Sequence, residues 1–482
     1  MVCLSALFVG LLFSNVVAFR HVPTGRTLFV HRTTRIRDFP VPPSIHNTAK
    51  RSTTSTVLTA AVSDITFDLL TNKRVLVVGG SGRVGGSVVT QLVRRGCKVT
   101  VGGTNEQHFE TSRARWKVLF PDNAAALLTD VDFATLDREQ ASSVKQVLQQ
   151  DSISFDLVVN TAGPFQGKKR APNGVLEACV DFSKPYVDVC DDYCTATATK
   201  SKFFTKAVEN GTPCIVSTGC WPGVSSLMAK QLVSKTLAAR PEMQPQDLSV
   251  DFSFFTAGSG GAGATLLVAT FLILAEQALV VVNGRRRPVQ AMKDYSTANF
   301  GKIVGDRNVA HLNLLETASV HDVLGVGSTS CLFGTAPDFW NSLLGLMAQL
   351  PPSLLANEDL MRKLSVFSLP IVRVVDYFAG AANAMRCDVT CAKEPGLIAT
   401  AIYAHENLEP CVGECIVAFC CAVLSGSVPP GVWLPEQAVA GGADAAAVLG
   451  LASVGAHTLQ VQGNGLELSQ EQVWGVASSE RM

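Results

Sequence analysis

The stretch Lys73-Arg74-Val75-Leu76-Val77-Val78-Gly79-Gly80-Ser81-Gly82-Arg83-Val84-Gly85 decides the fold. Its apolar run lacks polar alternation, as a central parallel strand buried on both faces requires. Gly80, Gly82 and Gly85 then satisfy G-x-G-x-x-G. Ser87 to Arg95 follows with Val88, Val89, Leu92 and Val93 on one helical face. Strand, glycine turn and helix in this order let backbone amides approach a pyrophosphate, and the helix N-terminus adds partial positive charge. Gly79, Gly80, Ser81, Gly82, Arg83, Val84 and Gly85 are therefore candidate dinucleotide-binding residues.

Working outward, Lys98 to Val101 supplies the second strand of a βαβ unit. An acid at its end would hold a ribose 2′-hydroxyl, but the chain reads Gly102-Gly103-Thr104-Asn105. Arg83, with Arg113 or Arg115, can instead meet a 2′-phosphate, so NADP is preferred over NAD and Thr104 joins the candidates. Leu127 to Asp132 reads as a third strand whose carboxyl end presents Asp132 to the ligand. Asp156 to Asn160 reads as a fourth, opening into Thr161-Ala162-Gly163-Pro164-Phe165, where Ala162, Gly163 and Pro164 are further cofactor candidates. Pro185 to Val189 is a fifth strand and Pro213 to Ser217 a sixth. Six parallel strands with crossovers make an α/β, doubly wound parallel Rossmann sheet.

The ordered motifs VLVVGGSGRVGGSV, LVVNTAGPFQG, PYVDVCDD, STGCWPGVSSLMA, FFTAGSGGAGATLL, LFGTAPDFW and PPGVWLPE run from about Arg74 to Glu436. The set resembles the saccharopine dehydrogenase-like family, especially its plant and algal plastid members. That resemblance implies a Rossmann domain over 63–225, a second α+β domain for substrate and dimerisation over 226–405, and a C-terminal return segment over 406–482. The local sequence agrees. Leu248 to Phe254 alternates like a sheet with one wet face, Met385–Cys391 and Leu397–Tyr403 read as a hairpin, and Gly413 to Leu424 is apolar nearly all round. Saccharopine-metabolising relatives carry an acid in G-x-D-P-G, where this chain has Trp221 in Gly219-Cys220-Trp221-Pro222-Gly223. The exchange removes the counter-charge for a substrate amino group and favours a more apolar or planar substrate.

Hydride transfer is the cofactor's chemistry, so the protein must add a group that handles a proton. Asp188 and Tyr186, on the fifth strand, are the catalytic candidates. Asp191 and Asp192 just beyond it read equally as caps for a helix starting near Tyr193. His311, His321 and His405 read as structural or exposed, and Ser81 belongs to the phosphate loop rather than to a nucleophile elbow. No cysteine pair combines with histidines in a zinc pattern, so the 14 cysteines read as buried thiols and no metal is expected. Gly258 to Gly263 is either a second anion cradle or a close-packed turn. Leu266 to Val282 reads as one long apolar helix, ending at Arg285-Arg286-Arg287, that packs inside the second domain or a dimer, or rests on a membrane surface.

Acidic and basic residues balance at 40 each, which argues against nucleic acid as a partner. Residues 1–18 read as a signal peptide. Residues 19–62 form a leader rich in Arg, Ser and Thr, as in a transit peptide. In series the two resemble a bipartite plastid leader, with the chloroplast stroma as destination; the alternative is a secreted or endomembrane protein with a disordered leader. The expected protein is a homodimeric NAD(P)-dependent oxidoreductase acting on a small-molecule plastid metabolite. Its rivals are a non-catalytic NADP-binding sensor or scaffold, and an oxidoreductase in peripheral contact with lipid.

Overall fold

The computed structural model describes residues 63–150, 154–166, 173–257, 264–391, 393 and 396–476. Strand β1 (Arg74–Val78), buried from Val75 onward, runs into the glycine turn and helix α1 (Arg83–Arg94). Strand β2 (Lys98–Gly103) lies parallel to β1 with Val75 opposite Val99. Helix α2 (Glu106–Leu119) is capped by Asn105, whose side chain accepts from the His108 amide. Strands β3 (Val131–Thr135), β4 (Leu157–Asn160) and β5 (Tyr186–Asp188) follow. After β5 comes α3 (Tyr193–Glu209), then β6 (Pro213–Ile215) and α4 (Val224–Ala239).

The third strand begins later than its sequence suggests. Ala126–Thr129 is a helical turn with Leu127 fully buried and Leu128 53 % exposed, a one-sided pattern that a strand buried on both faces does not show. Asp132 is consequently the second residue of β3, exposed and at the end away from the ligand side.

The second domain opens with β7 (Leu248–Ala257), α5 (Ala264–Ile273), β8 (Ala278–Val282) and β9 (Arg285–Val289). The expected single helix over 266–282 is therefore a shorter helix followed by a hairpin strand. Asn283 and Gly284 both have positive φ, 49° and 74°, the conformation of a two-residue hairpin turn, and valines precede it. Arg285 to Arg287 are exposed strand residues. Strands β10 (Ser296–Asn299) and β11 (Asp306–His311), helix α6 (Leu315–Leu324), β12 (Ser328–Ala336), helix α7 (Glu358–Ala379), β13 (Ala382–Cys391) and β14 (Leu397–His405) complete it. The glycine run at 258–263, like the leader at 1–62, lies outside the described residues.

The return segment joins both sheets. Helix α8 (Leu408–Leu424) packs on α1, with Gly413 so close to Ser87 that a Cβ there would overlap its side chain. Strand β15 (Gly431–Trp433) pairs parallel to β6, and β16 (Thr458–Gly463) pairs antiparallel to β14. The first sheet thus has seven parallel strands in the order β15-β6-β5-β4-β1-β2-β3. The second has the order β10-β11-β12-β7-β13-β14-β16, with β8 joined to β12 and β9 to β8. One apolar core runs from β1 and α1 through α4 and α8 to β7, β13 and β14. No helix among the described residues is long and apolar enough to cross a membrane.

Candidate dinucleotide and substrate cleft

A cleft of about 1050 Å³ lies at the carboxyl ends of the first sheet's strands, roofed by the second domain. This is where open α/β sheets collect ligands. Gly79, Ser81, Gly82, Arg83, Val84 and Gly85 form its floor. Gly79 has φ +78°, and a Cβ on Gly85 would lie 2.6 Å from the Thr161 hydroxyl, so only glycine lets the turn close under α1. Gly82 is the N-cap of α1 and offers no side-chain acceptor, leaving first-turn amides available to an anion. The Ser112 hydroxyl donates to the Ser81 carbonyl at 2.8 Å and ties the turn to α2. These features fit a dinucleotide's pyrophosphate.

Thr104 lines the cleft beyond β2, as do Ala162, Gly163 and Pro164 beyond β4. Two candidates fall elsewhere. Gly80 packs behind the turn, where its Cβ would meet Val101 at 3.0 Å, and Asp132 is exposed off the cleft. The acids reaching this end from β3 are Asp137 and Glu139 instead. Of the two arginines considered with Arg83, Arg115 faces the cleft; Arg113 pairs with Glu110 at 2.7 Å over the Phe109 ring. No acid stands at the end of β2, where one would hold a ribose 2′-hydroxyl.

The structure brings Asp188 and Tyr186 together but away from the cleft lining. Asp188 is 1 % exposed. Its Oδ1 accepts from the amides of Ser217 (2.9 Å) and Cys190 (3.1 Å), and its Oδ2 from the Tyr186 hydroxyl (2.8 Å) and the Asn173 amide (3.1 Å). Burial pushes its carboxyl up to about 6 against these donors and raises the Tyr186 hydroxyl well above its ordinary range. Every lone-pair direction of Asp188 serves the loops after β4, β5 and β6. The pair braces the cleft wall.

Of the acids after β5, Asp191 is the one that lines the cleft. Its neighbour Asp192 caps α3, accepting from the Thr195 amide at 2.6 Å, and so leaves Asp191 free of that duty. Burial pushes Asp191 up to about 6, opposed by a hydrogen bond from Gln166. The cleft is also lined by Val189, Gln166 and Trp221, whose ring lies 5.2 Å from that of Phe254. Farther out the wall is apolar, with Leu266 and Ile273 from α5, Leu315 from α6, Phe333 from β12 and Leu369 from α7. Sequence reasoning missed Glu409 and Leu369 because they come from helices with no motif, and it passed over Gln166 although that residue sits in the quoted LVVNTAGPFQG stretch. Asp191 was legible only as one of two adjacent acids.

The histidines considered are structural: His321 Nδ1 lies 2.7 Å from the Val326 carbonyl, and His405 stands 3.8 Å from Glu414. Neither lines the cleft, nor does His311. The described cysteines are free thiols, all buried except Cys194, and no group of metal-ligating side chains occurs among the described residues.

Residues 75–213 match the family model for the saccharopine dehydrogenase NADP binding domain. Apo saccharopine dehydrogenase (L-Glu forming) from Saccharomyces cerevisiae superposes with a TM-score of 0.55 at 13 % identity, covering 82 % of this chain and 100 % of its own. Smaller overlaps occur with MalC Reductase/Diels-Alderase from Malbranchea aurantiaca (TM-score 0.26, 14 % identity, 31 % of this chain and 74 % of that one). A short chain dehydrogenase from Salmonella enterica serovar Typhi gives a TM-score of 0.25 at 18 % identity, over 31 % of this chain and 78 % of that one. No curated protein matches the sequence. Residues 75–213 thus match a saccharopine dehydrogenase NADP-binding domain, and the chain shares the fold of saccharopine dehydrogenase.

Proposed function

We propose that this chain is an NADP-dependent oxidoreductase acting on a small or lipophilic metabolite, with Asp191 as the group that holds or takes the substrate proton. The observation that carries the reading is one continuous cleft. Its floor is the glycine turn and its far wall is apolar, while Asp191 stands at the carboxyl ends of the strands between them. Bound NADP would supply the hydride acceptor, and NADPH the donor. The glycine turn and α1 would hold the phosphates, while Trp221, Leu315 and Phe333 exclude water and orient an apolar substrate. A carboxyl raised to about 6 exchanges protons readily near neutral pH, as a general acid or base requires.

Trp221 gives no counter-charge to a substrate amino group, which favours a substrate other than saccharopine. Turnover of saccharopine with NADPH or NADP at ordinary rates would refute that part. The oxidoreductase reading is tested by fluorescence titration of the chain with NADPH, then by NADPH oxidation in a plastid metabolite extract. No dinucleotide binding defeats it; binding without oxidation favours a sensor.

A lipid-surface reading has an observation of its own. Val374 and Tyr377 of α7 are 61 % and 85 % exposed, while Leu369 and Arg373 of the same helix line the cleft. An apolar face beside the substrate entrance suits delivery of a lipophilic substrate from a membrane surface, and equally suits a homodimer contact. Flotation with plastid-lipid vesicles and sedimentation of the free protein separate the two. The stroma remains our proposed location, resting on the composition of residues 1–62, and a reporter fused to that segment tests it.

A further inference from the structure

Glu409 belongs to the first turn of α8, in the return segment, yet its side chain enters the dinucleotide cleft. Its carboxylate lies 3.4 Å from the Arg83 guanidinium on the first turn of α1. Arg115, on the helix after β2, lines the same cleft, and its buried Nε has no hydrogen-bond partner among the described residues. The side chains of Arg83 and Glu409 are only 31 % and 17 % exposed, so the pair is partly shielded from water. Burial raises the Glu409 carboxyl, opposed by the positive charges of Arg83 and then Arg115.

We propose that Glu409 is an internal stand-in for the cofactor's 2′-phosphate, holding Arg83 and Arg115 until that phosphate displaces it. The ribose of a dinucleotide ends beyond β2, at Thr104 and Asn105, next to the helix that carries Arg115. Arg83 paired with this carboxylate, with Arg115 lining the same cleft, forms a ready anion site, since guanidinium groups suit carboxylate and phosphate alike. The carboxylate gives the arginines a partner in the free protein and charges the incoming phosphate for its removal. Affinity for NADP(H) is therefore set partly from the C-terminal segment, 326 residues away in sequence from Arg83. This inference rests on the NADP-binding reading above.

The test is the ratio of NADPH to NADH dissociation constants for the chain and for Glu409→Gln, by fluorescence titration, with adenosine 2′,5′-bisphosphate and ADP as small probes. Removing a competing, partly shielded carboxylate should tighten NADPH and the 2′,5′-bisphosphate about three- to tenfold, with NADH and ADP unchanged. Equal tightening of NADPH and NADH would place the displaced anion at the pyrophosphate and overturn the proposal. So would unchanged or weakened NADPH binding, the latter marking Glu409 as a support for Arg83. Glu409 also complements the N-terminus of its own helix, so thermal melting checks folding and Glu409→Ala serves as a second variant. Failure of the unaltered chain to bind either dinucleotide would instead defeat the NADP-binding reading itself, and this inference with it.

Discussion

Three carboxyls near the cleft differ in what surrounds them, and that difference assigns their roles. Asp188 is consumed by four donors, so Asp188→Ala should strand the Tyr186 hydroxyl and the Ser217 and Cys190 amides and cost about 3 kcal/mol or more in urea unfolding. Asp191 has one side-chain donor, Gln166, and faces the cleft. Asp191→Asn should lower NADPH oxidation by about 10²-fold or more with an unchanged NADPH dissociation constant. A parallel rise in that constant would mean that Asp191 shapes the cofactor site. Glu316, on α6, is fully buried, accepts from the Ser225 hydroxyl at 2.7 Å through one oxygen, and has no partner among the described residues for the other.

Burial pushes Glu316 from 4.5 to about 7, so the folded chain binds its proton more tightly than the unfolded chain does. Its contribution is fully present below pH 4.5 and is lost as pH rises through about 7. Glu316→Gln keeps the acceptor for Ser225 and removes the buried charge. At pH 8 it should be more stable than the unaltered chain by on the order of 2–3 kcal/mol, and near pH 5 by much less. Urea unfolding at the two pH values measures the difference, and an equal gain at both would rule out titration as its cause.

At the scale of elements, the turn between β1 and α1 joins two demands that its glycines meet separately. Gly85 admits the Thr161 side chain and the turn's own carbonyl, while Gly86 admits the indole of Trp116, whose Cε2 would be 2.9 Å from a Cβ. Gly85→Ala should abolish detectable NADPH binding. Gly86→Ala should cost about 1–3 kcal/mol of stability by pushing α2 from α1 and weaken NADPH binding less. Titration and melting of the same preparations distinguish them. The motif itself was plain in the sequence because strand, turn and helix are local. The Asn283-Gly284 hairpin was equally local, but a run of apolar residues carried the helix reading past it; strand-forming valines and positive φ won. Leu127-Leu128 misled for the opposite reason, since two apolar residues in a row fit a strand until burial separates them.

Across the whole molecule, α8 ties the C-terminal segment to the cofactor turn through Gly413 and Ser87. Gly413→Val should force α8 off α1, lower Tm by roughly 5 °C and weaken NADPH binding. Unchanged NADPH affinity in a destabilised variant would show that the return helix supports the fold without tuning the site. The sequence alone determined the βα alternation of six strands of the Rossmann sheet, the glycine turn, the absence of an acid after β2 and the apolar returning helix; the seventh strand, β15, came only with the structure. Each depends on neighbours a few residues apart and on hydrophobic period. Only the tertiary structure decided that Asp188 and Tyr186 are enclosed, that Asp191 faces the cleft, that Arg115 and not Arg113 does, and that Glu409 meets Arg83. Those outcomes depend on which side chains crossovers and the return segment bring together, and chain spacing carries no record of burial or of contacts hundreds of residues apart.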